Sequence, residues 1–197
     1  MKVAVLLLLR PTQFALGMRE IDARAARIRN MGHEEFHGYV RDRKVPVVLA
    51  PRDRVYLVDH HHLTRACWEA GREEMPVELQ ADLSKHSLPD FWRAMHARHW
   101  VHLFDQFGHG PHEPIDLPET VRGLADDPYR SLAWAVKEKG GFQKSSVPFA
   151  EFEWAQFFRK NLKAHPVFDS FETSLTEALR IVHEPVAGHL PGFTPQK

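Results

Sequence analysis

The chain has 197 residues, enough to bury the core of one domain with an extension, and its 43% hydrophobic and 26% charged content is ordinary for a soluble globular protein. Lys+Arg and Asp+Glu both number 26, and the resulting zero net charge counts against a broad nucleic-acid surface, although a small basic cleft remains possible. No apolar stretch is long enough to span a membrane. The single cysteine, Cys67, rules out an internal disulfide and favours a reducing, cytoplasmic compartment.

The first half of the chain predicts an α+β domain. Four short apolar runs predict strands, the first of them buried: 3–9, 45–49, 55–58 and 77–80. Two segments with helical spacing of apolar residues predict helices: 19–30 and 34–40. In the first helix, Ile21, Ala25 and Ile28 form the inward face. Residues 1–87 are therefore predicted to form a small mixed sheet with helices against it.

The second half predicts a helical extension, residues 88–197, packed on the first domain. Four segments have helical patterns: 88–99, 127–139, 149–163 and 171–183. Between the first two, the pattern predicts a short strand and then a loop rich in Gly, Pro and His: 100–104 and 105–117. Asp127 followed by Pro128 is typical of a helix start, because aspartate caps the helix and proline suits its first position.

The most informative segment lies where the strand at 55–58 meets a helix. Asp59 is followed by His60, His61 and His62. If Asp59 caps the helix, the histidines occupy its first turn, where backbone N–H groups have no partner inside the helix. Those donors and the positive end of the helix dipole suit an anion, phosphate best of all. The segment predicts a phosphate site.

The residue types leave several interpretations open. One histidine can be a buried hydrogen-bonding residue with the others facing solvent, or the turn can contact phosphate through its backbone and rings, or it can hold a transition metal. Asp59 is a helix cap alone, or it also orients a histidine or a magnesium-bound water.

Seven blocks of sequence together resemble a known family. They are residues 8–13, 17–21, 45–49, 56–62, 91–95, 126–133 and 149–155. They are similar to the ParB/sulfiredoxin fold superfamily, and more narrowly to its ParB-like nuclease branch. The resemblance implies a ParB/sulfiredoxin-like α+β domain with a C-terminal helical extension.

The resemblance also implies a chemistry. The superfamily includes nucleotide-binding partition proteins, sulfiredoxins that use ATP, free-serine kinases and proteins credited with nuclease activity. It implies ATP or another NTP and Mg²⁺ as cofactors, with a nucleotide and a small molecule as partners. Its catalytic positions correspond here to Glu20, as the base, and to Asp59 and His61 of an Asp-x-His-His run. Asp59 is also the expected metal ligand.

A set of side chains is expected to contact phosphate or nucleotide: Thr12, Gln13, His60, His61, His62, Arg65 and Arg130. The chain departs from the family pattern at two positions, with His60 in place of a glycine and Leu63 in place of an arginine. Arg65 lies two residues after Leu63, which is about 200° around the helix axis, so it is a poor substitute for the arginine of the family pattern.

These observations predict a nucleotide-binding ParB-like protein, an ATP-dependent phosphotransferase or NTPase acting on a small molecule. The alternative is a ParB-like nuclease or DNA-associated protein, which the zero net charge does not favour. The third possibility is a catalytically silent interaction module that retains the fold, which the lost glycine and arginine support.

Overall fold

The structure is a computed structural model that describes residues 2–164 and 166–195. The chain divides into two compact units, Met1–Leu16 with Ile21–Ala125 and Gly17–Glu20 with Asp126–Lys197. The division follows Ala125, further along the chain than the boundary predicted after residue 87. Met1, His165, Gln196 and Lys197 lie outside the described residues, so the outer ends of the predicted ranges 1–87 and 88–197 are not covered.

The first unit contains the strands and four of the helices in the described part of the chain. Its strands are β1 (Val3–Val5), β2 (Leu9–Arg10), β3 (Ala15–Leu16), β4 (Val45–Ala50), β5 (Arg54–Leu57), β6 (Glu74–Asp82) and β7 (Ala125–Asp126), of which the last residue counts with the second unit. Its helices are α1 (Met18–Arg29, whose first three residues count with the second unit), α2 (His33–Arg41), α3 (His61–Glu69) and α4 (Leu88–Ala97).

Among the described residues, five strands form one sheet in the order β1-β6-β4-β5-β2. The pairs β1–β6 and β4–β5 are antiparallel, whereas β6–β4 and β5–β2 are parallel. The β4–β5 pair confirms the predicted hairpin. Because β2 and β5 run in parallel, the residues that follow both strands, Pro11–Gln13 and Val58–His60, leave the sheet at the same edge.

The first unit extends past residue 87 because α4 completes its core. A buried cluster joins the sheet to α4 and the segment after it: Val48, Ala50, Tyr56, Leu83, Phe91, Met95, Val101, Leu103 and Leu117. The Tyr56 and Phe91 rings lie 5.4 Å apart, centre to centre. The sheet would expose this apolar face without α4, and this explains the position of the division.

The first apolar run is not the continuous buried strand that the sequence predicts. Residues Leu6–Leu8 form a turn of 3₁₀-helix between β1 and β2. Val3 and Val5 of the edge strand β1 are exposed, and so is Leu8 in the 3₁₀ turn. A uniformly apolar run carries no period, so its pattern cannot show where a strand breaks.

The second unit is helical, with α5 (Pro128–Glu138), α6 (Ala150–Asn161) and α7 (Phe171–Ile181). Its core contains Trp154, Phe158 and Leu132, all fully buried, and the Phe142 ring stacks on Trp154 at 4.3 Å. The predicted cap is confirmed, because the Asp127 side chain accepts a hydrogen bond from the Tyr129 N–H at 2.9 Å.

The architecture confirms the predicted α+β class with a helical C-terminal part. The predicted strand at 100–104 is wrong, since the segment contributes one isolated bridge, between Gln13 and His102. Among the described residues, every helix is too short or too polar to cross a lipid bilayer.

Candidate functional site

The turn that joins β5 to α3 differs from the predicted one by a residue. His60 occupies the cap position before α3, and the helix begins at His61, so the expectation that Asp59 caps the helix is wrong. Asp59 instead accepts a hydrogen bond from the adjacent His60 N–H at 2.6 Å through Oδ1. The cause is the backbone of His60, which is left-handed with φ 62° and ψ 24° and turns the chain one residue later. We call Asp59–His62 the histidine turn.

The left-handed conformation of His60 explains one departure from the family pattern. Glycine adopts positive φ without steric cost, and histidine is one of the few other residues that reach this region with some frequency. The chain therefore keeps at His60 the backbone conformation that a glycine would favour. What changes is the side chain, whose buried Nδ1 has no hydrogen-bond partner among the described residues.

His61 is buried and connects the histidine turn to the segment after β2. The Thr12 N–H donates to Nε2 of His61 at 3.1 Å, and the Thr12 hydroxyl donates to the Leu57 carbonyl at 3.0 Å. Because a backbone N–H can only donate, this Nε2 carries no proton. The structure thus brings together two of the predicted site residues, and the bond fixes the first turn of α3.

Thr12 and Gln13 also form hydrogen bonds with residues outside the histidine turn. The Gln13 side chain is buried and donates to the Ala15 carbonyl at 3.1 Å. The Thr12 carbonyl accepts from the His102 N–H at 2.9 Å. These bonds hold residues 12 and 13 rigidly at the sheet edge, and their predicted contact with nucleotide stays a prediction.

Arg65 is committed to partners within the first unit. Its Nη2 lies 2.7 Å from Glu69 Oε1. Its Nη1 donates to the carbonyls of Val121 and Arg122 at 3.0 and 3.1 Å. The side chain therefore fastens α3 to the segment around residue 121. A phosphate contact of Arg65 stays a prediction, and it would require these bonds to break.

Asp59 can supply oxygen to a metal ion, but the surroundings supply few other ligands. Among the described residues, no group of three or more His, Cys, Asp or Glu side chains is placed to hold a metal. Asp59 is exposed, and one of its oxygens is bonded to the His60 N–H. This donor set fits magnesium only where phosphate oxygens and water complete the coordination, which is the usual arrangement for that ion.

The thiol of Cys67 is not a nucleophile in this fold. Cys67 lies on the buried face of α3, and burial raises the pKa of its thiol to about 12. A thiol reacts as the thiolate, so Cys67 stays inert near neutral pH.

Glu20 and Arg130 belong to the second unit, and both are buried. Burial lowers the pKa of Arg130, while the carboxylates of Glu151, Asp127 and Glu20 act in the opposite direction. The Arg130 guanidinium lies over the Phe152 ring, with its Cζ 3.6 Å from the ring centre. Its Nε and Nη1 have no hydrogen-bond partner within residues 2–164 and 166–195. The predicted roles of Glu20 as a base and of Arg130 as a phosphate contact stay predictions.

The start of α1 is bonded to Asp126 and to α5 within the second unit. The Met18 N–H donates to Asp126 Oδ1 at 3.0 Å, and the Arg19 N–H donates to the Ser131 hydroxyl at 3.2 Å. A Cβ on Gly17 would come within 2.6 Å of the Ser131 nitrogen, so the close approach requires glycine. These contacts fix the backbone directly before the buried Glu20.

Sequence reasoning did not find the pair of ionisable side chains formed by Asp105 and His112. They lie in the segment that the sequence identifies only as a Gly, Pro and His loop, and His112 Nε2 is 3.2 Å from Asp105 Oδ2. The signal was present as an aspartate and a histidine separated by Gly108 and Gly110. Without the fold, nothing distinguishes this pair from ordinary loop residues.

Comparison with known proteins identifies the family. The family model described as putative ParB-like nuclease matches residues 2–160. The chain belongs to the ParB-like nuclease family. The resemblance inferred from the sequence blocks is thereby confirmed. No curated protein matches the chain.

Two solved structures are similar to this ParB-like nuclease family member. The crystal structure of protein Atu1540 from Agrobacterium tumefaciens is 36% identical with a TM-score of 0.88, covering 100% of this chain and 98% of that chain. The C-terminally truncated chromosome-partitioning protein ParB from Caulobacter crescentus, complexed to the centromeric parS site, is 10% identical with a TM-score of 0.33, covering 93% and 98%. The second likeness is too low to carry an argument.

Proposed function

We propose that the chain binds the phosphate groups of a nucleotide at the histidine turn and transfers or hydrolyses the terminal phosphoryl group. The observation that carries the proposal is the connection of β5 to α3, where a helix begins directly after a strand and its first residue is fixed by the Thr12–His61 bond. The first N–H groups of a helix and its dipole favour a phosphate at such a place.

Each part of the turn has a task in this proposal. Backbone N–H groups at the start of α3 hold phosphate oxygens, and the side chains of His60 and His62, both half-buried, border them. Asp59 would hold magnesium through one oxygen, and the bound ion would neutralise phosphate charge. A base takes the proton of the attacking hydroxyl or water, as phosphoryl transfer requires.

Nucleotide binding is tested by thermal unfolding of the full chain with a panel of nucleoside triphosphates and magnesium. At a hundredfold excess over its Kd, a nucleotide stabilises the folded chain by about 2.7 kcal/mol, which raises Tm by about 5–10 °C for a chain of this size. We expect His62→Glu to abolish this rise. A carboxylate suits the start of a helix but repels phosphate, so the variant stays folded and loses the ligand.

The matched control is His86→Glu, which makes the same charge change at an exposed histidine outside the turn. This variant should keep the full rise in Tm. A wild-type chain that no nucleotide stabilises, or a His62→Glu variant that keeps the rise, would contradict the proposal.

The second candidate function is a nuclease, and the match of the ParB-like nuclease family over residues 2–160 favours it. In this case the histidine turn would hold a backbone phosphate of a nucleic acid instead of a nucleotide phosphate. Both functions need the turn to bind a phosphate. A nuclease also needs groups that recognise a nucleic-acid strand and groups that break its P–O bond.

A further inference from the structure

Backbone hydrogen bonds join the two sides of the loop of residues 102–112, which we call the 102–112 loop. The His112 N–H donates to the carbonyl of buried Leu103 at 2.8 Å, and the Asp105 N–H donates to the His109 carbonyl at 2.9 Å. Gly110 has φ 153°, and a Cβ there would lie 2.5 Å from the Leu103 oxygen. The loop therefore has a defined shape that positions its side chains.

Asp105 organises the 102–112 loop and orients His112. Its Oδ1 accepts the N–H groups of Phe107 and His109, both at 2.9 Å, and its Oδ2 bonds to His112 Nε2 at 3.2 Å. Burial alone would raise the pKa of Asp105, but the bonds from His109, Phe107 and His112 lower it below the ordinary aspartate value.

Asp105 is therefore ionised near neutral pH and can only accept, so the hydrogen of the neutral His112 ring lies on Nε2. Nδ1 is left as the basic nitrogen. The 38% exposed His112 side chain rests edge-on against the Phe14 ring at 5.3 Å. A carboxylate that orients a partly exposed imidazole is an arrangement that enzymes use for general-base catalysis.

The 102–112 loop also presents flat apolar faces to solvent. Phe104 and Phe107 are 39% and 52% exposed. Each lies beside a histidine ring, with centres 5.2 Å apart for His102 and 6.1 Å for His109. Such faces stack on the bases of unpaired nucleic acid, whereas a duplex hides its base faces. Stacking needs no net positive charge, which suits a chain whose formal charge is zero.

The loop and the histidine turn are joined by three consecutive residues of the first unit. Thr12 is bonded to His61 on one side and to His102 on the other, and Phe14 contacts His112. Residues 12–14 therefore contact both the histidine turn and the 102–112 loop.

We propose that the 102–112 loop binds a single-stranded nucleic acid through Phe104 and Phe107 and hydrolyses its phosphodiester with His112 as general base. The inference rests on the nuclease as candidate function. His112 takes a proton from water as the water oxygen bonds to phosphorus, the P–O bond to one sugar breaks, and the released sugar oxygen takes a proton from solvent. His112 then returns its proton to solvent. Asp105 is a positioning residue.

The test uses the full chain with a labelled single-stranded oligonucleotide, as DNA and as RNA, and with the matched duplex. Cleavage of one or both single strands is expected, with little cleavage of the duplex. His112→Gln should lower the rate about 10²–10⁴-fold, the usual contribution of a general base. His96→Gln, at an exposed histidine of α4, should change nothing. Phe107→Ala should raise KM about 10-fold and leave kcat unchanged, because stacking acts on binding.

Two further measurements separate catalysis from a structural role. The wild-type rate should fall at acid pH as the general base takes up a proton, and Asp105→Asn should move this fall as well as lower the rate. The His112 ring lies against Asp105 and the Phe14 ring, and Asp105 Oδ2 is also 4.0 Å from His109 Nδ1. Added imidazole should restore cleavage to His112→Gly, which no loss of folding would allow.

The proposal is overturned if the wild-type chain cleaves neither single strand. It is also overturned if it cleaves them and His112→Gln does so at the same rate, an outcome that leaves the nuclease function standing with another base. The thermal-shift experiment tests nucleotide binding at the histidine turn, and the cleavage assay tests the 102–112 loop. A negative result in one experiment leaves the other proposal standing.

Discussion

His60 combines an unusual backbone with an unsatisfied side chain. Its φ of 62° is a conformation that costs a residue with a Cβ about 1–2 kcal/mol, and its buried Nδ1 lacks a partner among the described residues. Glycine avoids both penalties but loses more entropy on folding, by about 0.5–1 kcal/mol. The histidine is therefore not the most stable choice at this position.

We expect His60→Gly to raise the free energy of unfolding by about 1 kcal/mol, because the relieved strain exceeds the entropic cost. His60→Val should lower it by more than 1 kcal/mol, since a β-branched residue fits positive φ poorly. Urea denaturation of the three chains measures both changes. If His60→Gly is the less stable chain, the side chain has a stabilising contact that outweighs the strain.

Asp127 at the start of α5 and Arg159 of α6 form a largely buried ion pair. Asp127 caps α5, and its Oδ2 lies 2.7 Å from Arg159 Nη2 with both side chains largely buried. Burial raises the pKa of Asp127 even though Arg159 lowers it. The Asp127 carboxyl therefore binds a proton more tightly in the folded chain than in the unfolded chain. This contribution favours folding at acid pH and is lost as the pH rises through the raised value.

Removing only Arg159 would leave a buried carboxylate without its cation. We expect Arg159→Met to lower the free energy of unfolding by about 3 kcal/mol at pH 7, and by less at acid pH, because Asp127 with its raised pKa then takes up a proton. Urea denaturation at both pH values tests this. The double variant Asp127→Asn/Arg159→Met keeps a capping side chain without the charge and should recover most of the loss. An equal loss at both pH values would show that packing, not charge, is responsible.

At the scale of the whole chain, charge depends on pH through the histidines. Lys+Arg and Asp+Glu cancel at 26 each, and 14 histidines add positive charge as the pH falls. An unperturbed histidine titrates near pH 6.5, so the net charge rises from zero to positive values as the pH falls below neutral. A chain of this composition gains non-specific affinity for phosphate polymers only when it is acidified.

Duplex DNA should accordingly show almost no binding at pH 8 and measurable binding at pH 6, both at low salt. The complex at pH 6 should weaken steeply as salt is added, because binding releases condensed counterions. Fluorescence anisotropy with a labelled duplex measures both effects. Equal affinity at the two pH values would point instead to a permanent basic surface.

Patterns that involve neighbouring residues were sufficient for much of the fold. Ile21, Ala25 and Ile28 are fully buried on α1 as their spacing predicts, and Asp127 caps α5. Both features depend on local geometry, which a short window of sequence contains. The break at Leu6–Leu8 and the cap at His60 were missed because a uniform apolar run and two adjacent polar residues give no unique local signal.

By itself the sequence determined the α+β class, most helices, the β4–β5 hairpin and the family. Only the tertiary structure decided which side chains meet: Thr12 with His61, 49 residues apart, Arg65 with the Val121 carbonyl, and Asp105 with His112 across a glycine-containing loop. The physical reason is that periodicity and capping act between residues near each other in the chain. Hydrogen bonds at a site join residues that approach one another only after the sheet has formed.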